Sequence, residues 1–436
     1  MEMGMANQKI PRFNDWAWWL YEHAPAGLDH AAKRCAPWVL PWVALRVPVA
    51  ILRGPTRHSE RSAIIVVAGL QPWADYLPHR LFACAPRREL VGAVPVWALP
   101  SFLKRLAVDA DIIVARVDRV SARLFFEDGY LVVPESLGCR LSLPVDLDKL
   151  ARASRSVKED LGTLRREGFT MEVSHREADC EVFYSSMYLP FVQKRHGEFA
   201  VIHNLHQLRR KFRRGGLIWL RRGDHRIAAA LFEQEGDVFR GVALGTKGGD
   251  LTLMKQGALA ALYIFEIKCA EEGRCASIDF GGTPPVLNDG LLRFKRKWGV
   301  QLMDEHQTPY DYLVRWERPN EQVLEFLADV PLIFKNHGHL AGLTALRLNG
   351  VAHQVQASMM HRSLWIAGLQ RLFVAVPTGC GLQEMGALPS QNRGGMSSVG
   401  GTEFCNVERI LSTLGGNQRT SSKSHGNPAV GKKNTR

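Results

Sequence analysis

The sequence predicts a mixed α/β protein with two domains and a tail, and three observations lead to this prediction. The chain has 436 residues, of which 46% are hydrophobic, and a chain of this size buries a sizeable core. Between residues 60 and 145, short β-branched runs alternate with helical stretches. Beyond residue 145, helical periodicity gives way to three consecutive strand-like runs, followed by further helices and strands.

We predict four parts along the chain. Residues 1–60 form a Trp- and Pro-rich extension, 61–145 a small α/β domain, 146–348 a larger α/β domain, and 349–436 a low-complexity basic tail. Most of the tail is rich in Gly, Ser, Asn and Gln, and it cannot bury enough apolar surface to offset the entropy of ordering. We therefore expect the tail to be largely disordered.

The elements of the first domain follow from its apolar runs. Residues 62–70, 111–117 and 130–134 are β-branched and apolar, which is typical of buried strands. Residues 101–107 are helical in character and separate the first two of these runs. This alternation predicts a small α/β unit.

The second domain opens with a predicted helix over 146–168, because Leu150, Val157 and Leu161 recur at helical spacing and Gly168 marks an end. Gly-Asp pairs then separate three alternating runs, which predicts an antiparallel meander with tight turns. The remaining predicted elements are helices 178–196 and 205–213, strands 217–222, 226–234 and 238–245, helix 253–272, strand 277–280, helix 291–298 and strand 308–316.

Net charge and cysteine usage limit the classes of partner and the cellular compartment that fit this sequence. The formal net charge is +13, which favours anionic partners such as phosphates, nucleic acid or membrane surfaces without choosing among them. The eight cysteines are scattered and include no CxxC pair, so they give no zinc pattern and fit a reducing cytoplasm. We expect no metal and a cytoplasmic location, and the oligomeric state stays open.

No membrane-spanning segment is predicted. The chain opens on polar residues without the apolar core of a signal peptide. The longest apolar stretch, residues 36–52, contains three prolines and Arg46, and is shorter than the ~20 residues that a spanning helix needs. The aromatic residues Trp16, Trp18, Trp19 and Tyr21 leave a peripheral membrane contact open.

The most specific sequence feature is the stretch 279–299. Asp279 ends a short strand, and the glycine pair after it permits close approach of backbone to a ligand. The turn residues 288–290 then lead into a short helix that carries two aromatic residues among four cations. Phe294 and Trp298 are four residues apart and share one helix face. We expect Lys295 or Lys297 to reach the cleft at the strand ends.

This stretch resembles the C-terminal signature of the Fem-type and cellulose-associated (CelD-like) branch of the GNAT acyltransferase superfamily. Phe294, Lys295, Trp298 and Gly299 match the branch's F-K-x-x-W/F-G box, and residues 279–281 match its D-F-G. The resemblance covers about residues 60–345. It implies a C-terminal GNAT-like acyltransferase domain, preceded by a smaller, degenerate GNAT-like domain.

The resemblance also implies a reaction: transfer of an acyl group from acyl-CoA to an amine or hydroxyl of an amino sugar, a polysaccharide precursor or another amine. The donor would lie where the fourth strand of the domain, 238–244, splays from the fifth. Asp279 or Glu233 would assist deprotonation, and Lys295 would bind phosphate or stabilise charge. The expected donor-binding residues are Val242, Leu244, Lys247, Gly248, Gly249, Lys255, Gly257 and Ala258, and the expected acceptor-binding residues are Arg195, His196, Gly281, Gly282, Phe294, Lys297 and Trp298.

Several alternatives remain at this point. The phosphate-binding pattern Q/R-x-x-G-x-G/A of GNAT enzymes is met only at Gly257 and Ala258. An aminoacyl-tRNA donor, docked on the basic run 208–214, is therefore an alternative, as is a binding protein without catalysis. At the residue level, Gly248 and Gly249 fit a simple turn, and Asp279 fits a cap. Lys295 also fits a solvated helix face, and His196 a structural role.

Overall fold

The computed structural model describes residues 31, 35, 46–58, 61–200, 202–304, 308–346, 353–376, 401–407 and 410–414. They form a mixed α/β fold around two β-sheets, as predicted. Residues 1–30, including the aromatic group at 16–21, lie outside the described part of the chain.

The first sheet is mixed and contains ten strands among the described residues. Its strands are β1 (Arg46–Pro55), β2 (Ser62–Ala68), β3 (Arg87–Pro95), β4 (Ile112–Asp118), β5 (Leu131–Pro134), β13 (Tyr310–Arg315), β14 (Leu332–Asn336), β15 (His339–Ala345), β16 (Leu369–Val376) and β17 (Gly401–Asn406). They lie in the order β17-β16-β15-β14-β5-β13-β4-β2-β1-β3. Strands β2, β4 and β5 confirm the three predicted for the first domain.

The second sheet contains seven strands in the described residues, in the order β12-β6-β11-β10-β9-β8-β7. These strands are β6 (Leu137–Ser142), β7 (Phe169–Ser174), β8 (Gly215–Arg222), β9 (His225–Glu235), β10 (Val238–Thr246), β11 (Ser277–Thr283) and β12 (Gln301–Met303). The predicted meander is confirmed, because β8, β9 and β10 pair antiparallel in succession. β11 then pairs with β10 in parallel, after the helical crossover.

The helices are α1 (Leu99–Leu106), α2 (Arg119–Phe125), α3 (Leu147–Ala153), α4 (Arg155–Arg166), α5 (Glu177–Phe183), α6 (Leu189–His196), α7 (Leu205–Phe212), α8 (Thr252–Lys255), α9 (Ala258–Glu272), α10 (Gly290–Arg296), α11 (Glu321–Asp329), α12 (His353–Leu364) and α13 (Ile410–Leu414). The predicted helix 146–168 is divided at Ser154, whose extended backbone and side chain cap α4. A π-helical segment, Tyr184–Tyr188, joins α5 to α6.

Helix α9 packs on the second sheet and is apolar almost all round. Its residues 260–265 are all at most 4% exposed, which is expected of a helix covered on every side. The main core of this part of the molecule joins α9 to the apolar faces of β6, β10 and β11. One charged residue, Glu266, is buried in the same helix at 4% exposure.

The two sheets interleave along the sequence. β6 precedes residue 145 but belongs to the second sheet, and β13 pairs with β4 and β5 of the first sheet. The strand predicted at 308–316 is therefore present, but it does not close the sheet of the second domain. The division into parts at residues 60, 145 and 348 stays a prediction.

The predicted disordered range 349–436 is too long, because part of it is folded in the described residues. Within 349–436, α12, β16, β17 and α13 are formed, and β16 pairs in parallel with β15. The physical reason is the apolar run 372–376, which is almost fully buried in the sheet. The rest of the tail lies outside the described residues.

Candidate active site

Two parallel strands separate in the middle of the second sheet. β10 and β11 pair at Val238–Ser277, Phe239–Ile278 and Arg240–Asp279, and the pairing ends there. β10 continues against β9 as far as Thr246, while β11 continues against β6 as far as Thr283. Peptide groups of β10 beyond Arg240 that point towards β11 therefore have no ladder partner in that strand. This is the splayed strand pair that the resemblance implies.

Both strands are irregular where they separate. The β9–β10 register shifts between Gly241 and Ala243, so Val242 is bulged out of the ladder. The β11–β6 register shifts between Asp279 and Gly282. Bulges bend a strand and re-aim its groups, and they are frequent next to active sites. Here they lie in both strands at the point where the pairing of β10 with β11 ends.

A cavity of about 250 Å³ occupies this gap. Its walls include residues 241–244 of β10, residues 280–282 of β11, and one face of α9. Helix α6 and the segment before it close the apolar side through Tyr188, Phe191 and Val192. Two basic side chains and one acidic side chain also line the cavity: Arg195, Lys295 and Glu266.

Glu266 is the carboxyl group of this cavity. It projects from α9 towards β10, and a Cβ placed on Gly241 would lie 2.8 Å from its Oε1. Burial raises the pKa of Glu266 to about 8, although the nearby charge of Lys295 lowers it. A carboxyl group whose pKa lies near neutrality is suited to take up and release protons.

Lys295 is the cation of the same cavity and is 2% exposed. Its Nζ donates to the carbonyl oxygen of Gly281 at 3.0 Å and to that of Gly282 at 2.8 Å. Burial lowers the pKa of Lys295, while Cys139, Asp279 and Glu266 raise it. We expected Lys295 or Lys297 to reach the cleft, and Lys295 lines the cavity.

Asp279 and Glu233 are held in ion pairs rather than presented to the cavity. Asp279 is 1% exposed, accepts from the Gly281 amide at 2.8 Å, and accepts from Arg240 Nε at 3.1 Å. Glu233 accepts from Lys211 at 3.0 Å and from Arg214 at 2.6 Å. Although burial alone would raise it, these cations lower the pKa of Glu233 to about 2. A carboxylate held so firmly in its charged form does not suit the role of a base.

The expected donor-binding residues divide into two groups. Val242 and Leu244 line the cavity, and residues 257 and 258 cap and begin α9, one face of which lines it. Residues 247–249 form a turn instead. The Gly248 carbonyl accepts from Lys194 at 2.9 Å, and Gly249 is buried against α6, where a Cβ would lie 2.6 Å from the Pro190 backbone. Lys247 and Lys255 are exposed and are absent from the cavity wall.

The expected acceptor-binding residues also divide. Arg195, Gly281 and Gly282 line the cavity. Phe294 and Trp298 pack against Tyr263 at ring distances of 5.0 and 6.4 Å and do not line it. Lys297 pairs with Asp160 and lies over the ring of Phe294. His196 ends α6, and its side chain lies outside the described atoms.

The basic run 208–214, considered as a docking surface for tRNA, is largely paired with acids. Arg209 pairs with Glu181, and Arg213 pairs with Glu177 at 2.8 Å. Lys211 and Arg214 both pair with Glu233, and Arg210 is only 3% exposed. The run therefore offers little free positive charge to a polyanion.

Neither a metal-binding cluster nor a membrane-spanning helix is found among the described residues. No group of three or more His, Cys, Asp or Glu side chains there could hold a metal ion. No helix in the described part of the chain is both long enough and apolar enough to cross a membrane.

Comparison with known proteins gave loose structural likenesses. No protein-family profile matches the chain, and no curated protein matches it. Among solved structures, FemX is 13% identical, with 64% of this chain and 90% of that chain covered and a TM-score of 0.32. L-PGS from Bacillus licheniformis is 12% identical, with coverages of 64% of this chain and 84% of that chain and a TM-score of 0.31.

A GCN5-related N-acetyltransferase from Kribbella flavida is 10% identical, with coverages of 70% and 67% and a TM-score of 0.26. Superpositions this loose carry no information about substrate. We therefore base the functional conclusion on the geometry of the site alone.

Sequence reasoning missed Glu266, the carboxyl group that lines the cavity. Glu266 is the one acidic residue inside the apolar run 258–267, and an isolated charge within such a run is a signal that points to function. Tyr188 and Phe191 were also missed. They are brought to the cavity by the π-helical segment and α6, whose packing leaves no periodic pattern in the sequence.

Proposed function

We propose that this protein is an acyltransferase of the GNAT type, whose reaction takes place in the cavity between β10 and β11. The observation that carries this proposal is the combination of a splayed parallel pair with Glu266 and Lys295 in the gap. A peptide edge without a strand partner binds the amide groups of an extended donor, as strand addition does elsewhere. The Fem-type, CelD-like branch stays a prediction within this class.

We propose an acyl-CoA thioester as the donor. Its arm would lie along residues 242–244, with the thioester carbonyl beside the bulge at Val242. The start of α9 at Gly257 has no side-chain cap, and the first amides of a helix are suited to phosphate. The turn 247–249 is not part of this phosphate site, because it is engaged with Lys194 and α6.

Proton transfer falls to Glu266. In its ionised form it accepts a proton from the attacking amine or hydroxyl of the acceptor. The acceptor atom then bonds to the acyl carbon, the C–S bond breaks, and the thiolate leaves and is protonated. Backbone amides at the bulge and the Lys295 ammonium group stabilise the negative charge that develops on the carbonyl oxygen.

An amine or a hydroxyl of an amino sugar or polysaccharide precursor is the acceptor that we propose. Arg195 at the cavity wall would contact it or the donor. An aminoacyl-tRNA donor remains the alternative, but the paired state of residues 208–214 removes one of the two observations that favoured it.

The test is a transfer assay with acetyl-CoA and longer acyl-CoA donors against glucosamine and simple amines, with mass detection of the product. We expect transfer by the natural protein, and a loss of about 10²–10⁴-fold in kcat/KM for Glu266→Gln. The wild-type rate should rise with pH towards about 8, because Glu266 must be ionised to act.

Glu135→Gln is the matched control, because Glu135 is 9% exposed and pairs with Arg116 in the first sheet. Its kcat/KM should stay within about threefold of the wild type. The proposal fails if no acyl group is transferred from any donor, or if Glu266→Gln and Glu135→Gln behave alike.

A further inference from the structure

A row of alternating charges crosses the second sheet at the level where β10 and β11 separate. Glu233 of β9 is opposite Arg240 of β10, and Arg240 is opposite Asp279 of β11. Side chains opposite one another in register lie on the same face of a sheet. Arg240 bridges the two acids, with its Nη1 3.4 Å from Glu233 and its Nε 3.1 Å from Asp279.

Asp279, which is also opposite Arg140 of β6, connects the row to the wall of the cavity. The second oxygen of Asp279 accepts from the amide of Gly281, which has a φ of +75° and lines the cavity. The carbonyl groups of Gly281 and Gly282 in turn accept from Lys295. A cation, a carboxylate and a glycine pair are thereby connected in one chain of contacts from β9 to the reactive groups.

The opposite end of the row is also held. Lys211 in the last turn of α7 and Arg214 two residues beyond that helix contact the two oxygens of Glu233 at 3.0 and 2.6 Å. Glu233 and Asp279 are 2% and 1% exposed, so both charges are fully committed to these partners. Buried ionic groups contribute little net stability compared with apolar packing, and their attested use is to specify one arrangement.

We infer that Glu233, Arg240 and Asp279 are positioning residues that fix where β10 and β11 part and where the Gly281 peptide stands. Arg240–Asp279 is the last register pair of the two strands. The ion pair therefore holds β10 and β11 together at the point where their pairing ends. The neighbouring bulge at Val242 opens the gap immediately beyond it. The expected effect on kcat rests on the proposed acyl transfer. The expected effect on the strands rests on backbone geometry alone.

The experiment compares Asp279→Asn with Asp311→Asn. Asp311 is 3% exposed and accepts from Arg119 Nε at 3.1 Å, but it lies in β13 of the first sheet. We expect Asp279→Asn to lower kcat by about tenfold or more with little change in the KM for acetyl-CoA, since small displacements of reacting groups are costly. Asp311→Asn should leave kcat within about threefold. Arg240→Lys should recover part of the activity that Arg240→Met loses.

Amide hydrogen exchange tests the same inference without activity. In Asp279→Asn, exchange at residues 241–244 and 279–283 should quicken, while Asp311→Asn leaves these peptides unchanged. Equal kcat and equal exchange in the two variants would overturn the inference. If the wild type transfers no acyl group, the proposed function fails, and the exchange result still decides whether the row positions the strands.

Discussion

The residue that takes up the proton in the proposed reaction is Glu266. A carboxyl group in the apolar, buried part of a helix costs free energy to bury, and the protein retains it against the backbone of Gly241. Its pKa of about 8 is a consequence of that burial. Because of this burial, we expect the free energy of unfolding to depend on the ionisation of Glu266.

Because the folded-state pKa of Glu266 lies above its unfolded value of about 4.5, folding favours the protonated form. Stability from this group is fully present below pH 4.5 and is lost as the pH rises towards 8. Glu266→Gln should remove that loss and raise the free energy of unfolding at pH 8.5 by roughly 1–3 kcal/mol relative to the wild type.

Denaturant unfolding of both proteins at pH 5.5 and pH 8.5 measures the effect. The difference between variant and wild type should be larger at the higher pH. A pH-independent difference would mean that Glu266 is solvated in the folded protein and has an ordinary pKa.

At the scale of the element, β10 depends on glycine at two positions for different reasons. At Gly241, an added Cβ would meet the flexible end of the Glu266 side chain at 2.8 Å. At Gly245, it would meet the backbone of Met187 at 2.6 Å, where the π-helical segment packs on the strand. A side chain can move aside, whereas a packed backbone cannot without shifting the helix.

Gly241→Ala should therefore reduce activity more than stability, by displacing the carboxyl group from the gap. Gly245→Ala should destabilise the protein by about 1–3 kcal/mol through overpacking. Thermal unfolding and kcat/KM, measured on both variants, separate the two effects. Equal losses of stability at the two positions would contradict this description of the strand.

On the scale of the whole molecule, the first sheet is built from segments that lie before and after the second sheet in the sequence. β13 lies between β5 and β4 in the first sheet, and Tyr312 and Val314 of that strand are fully buried. The segment after the second sheet thus completes a sheet begun before it. The first sheet cannot form in full without residues beyond 308.

A chain that ends at residue 304 should consequently fail to fold into a soluble protein, because β4 and β5 would expose unpaired edges and apolar faces. A chain that ends at residue 414 keeps every described strand and serves as the control. Solubility and circular dichroism of the two proteins provide the measurement. A soluble, cooperatively folding 1–304 fragment would show that the second sheet and its helices are independent of the later strands.

Local pattern predicted much of this architecture. The meander β8–β10, the crossover helix α9 and strand β11 follow from alternation and periodicity, and the splayed gap from the resemblance. β13 was located correctly in sequence but assigned to the wrong sheet, because pairing partners distant in sequence leave no local signal. Lys295 was expected at the cleft from its motif, and it lines the cavity. Glu233 was not recognised as a paired acid, because its partners Lys211 and Arg214 lie in and just beyond the last turn of α7, and only the fold brings them to β9.

The measurement that tests the central claim most directly is a crystal structure with a non-hydrolysable acyl-CoA analogue. We predict that the thioether analogue of the thioester lies between β10 and β11, beside Val242, with Glu266 and Lys295 on either side of the acyl group. An analogue bound elsewhere on the molecule, or a gap between the strands that stays empty at saturating concentration, would contradict the assignment of this cavity as the active site.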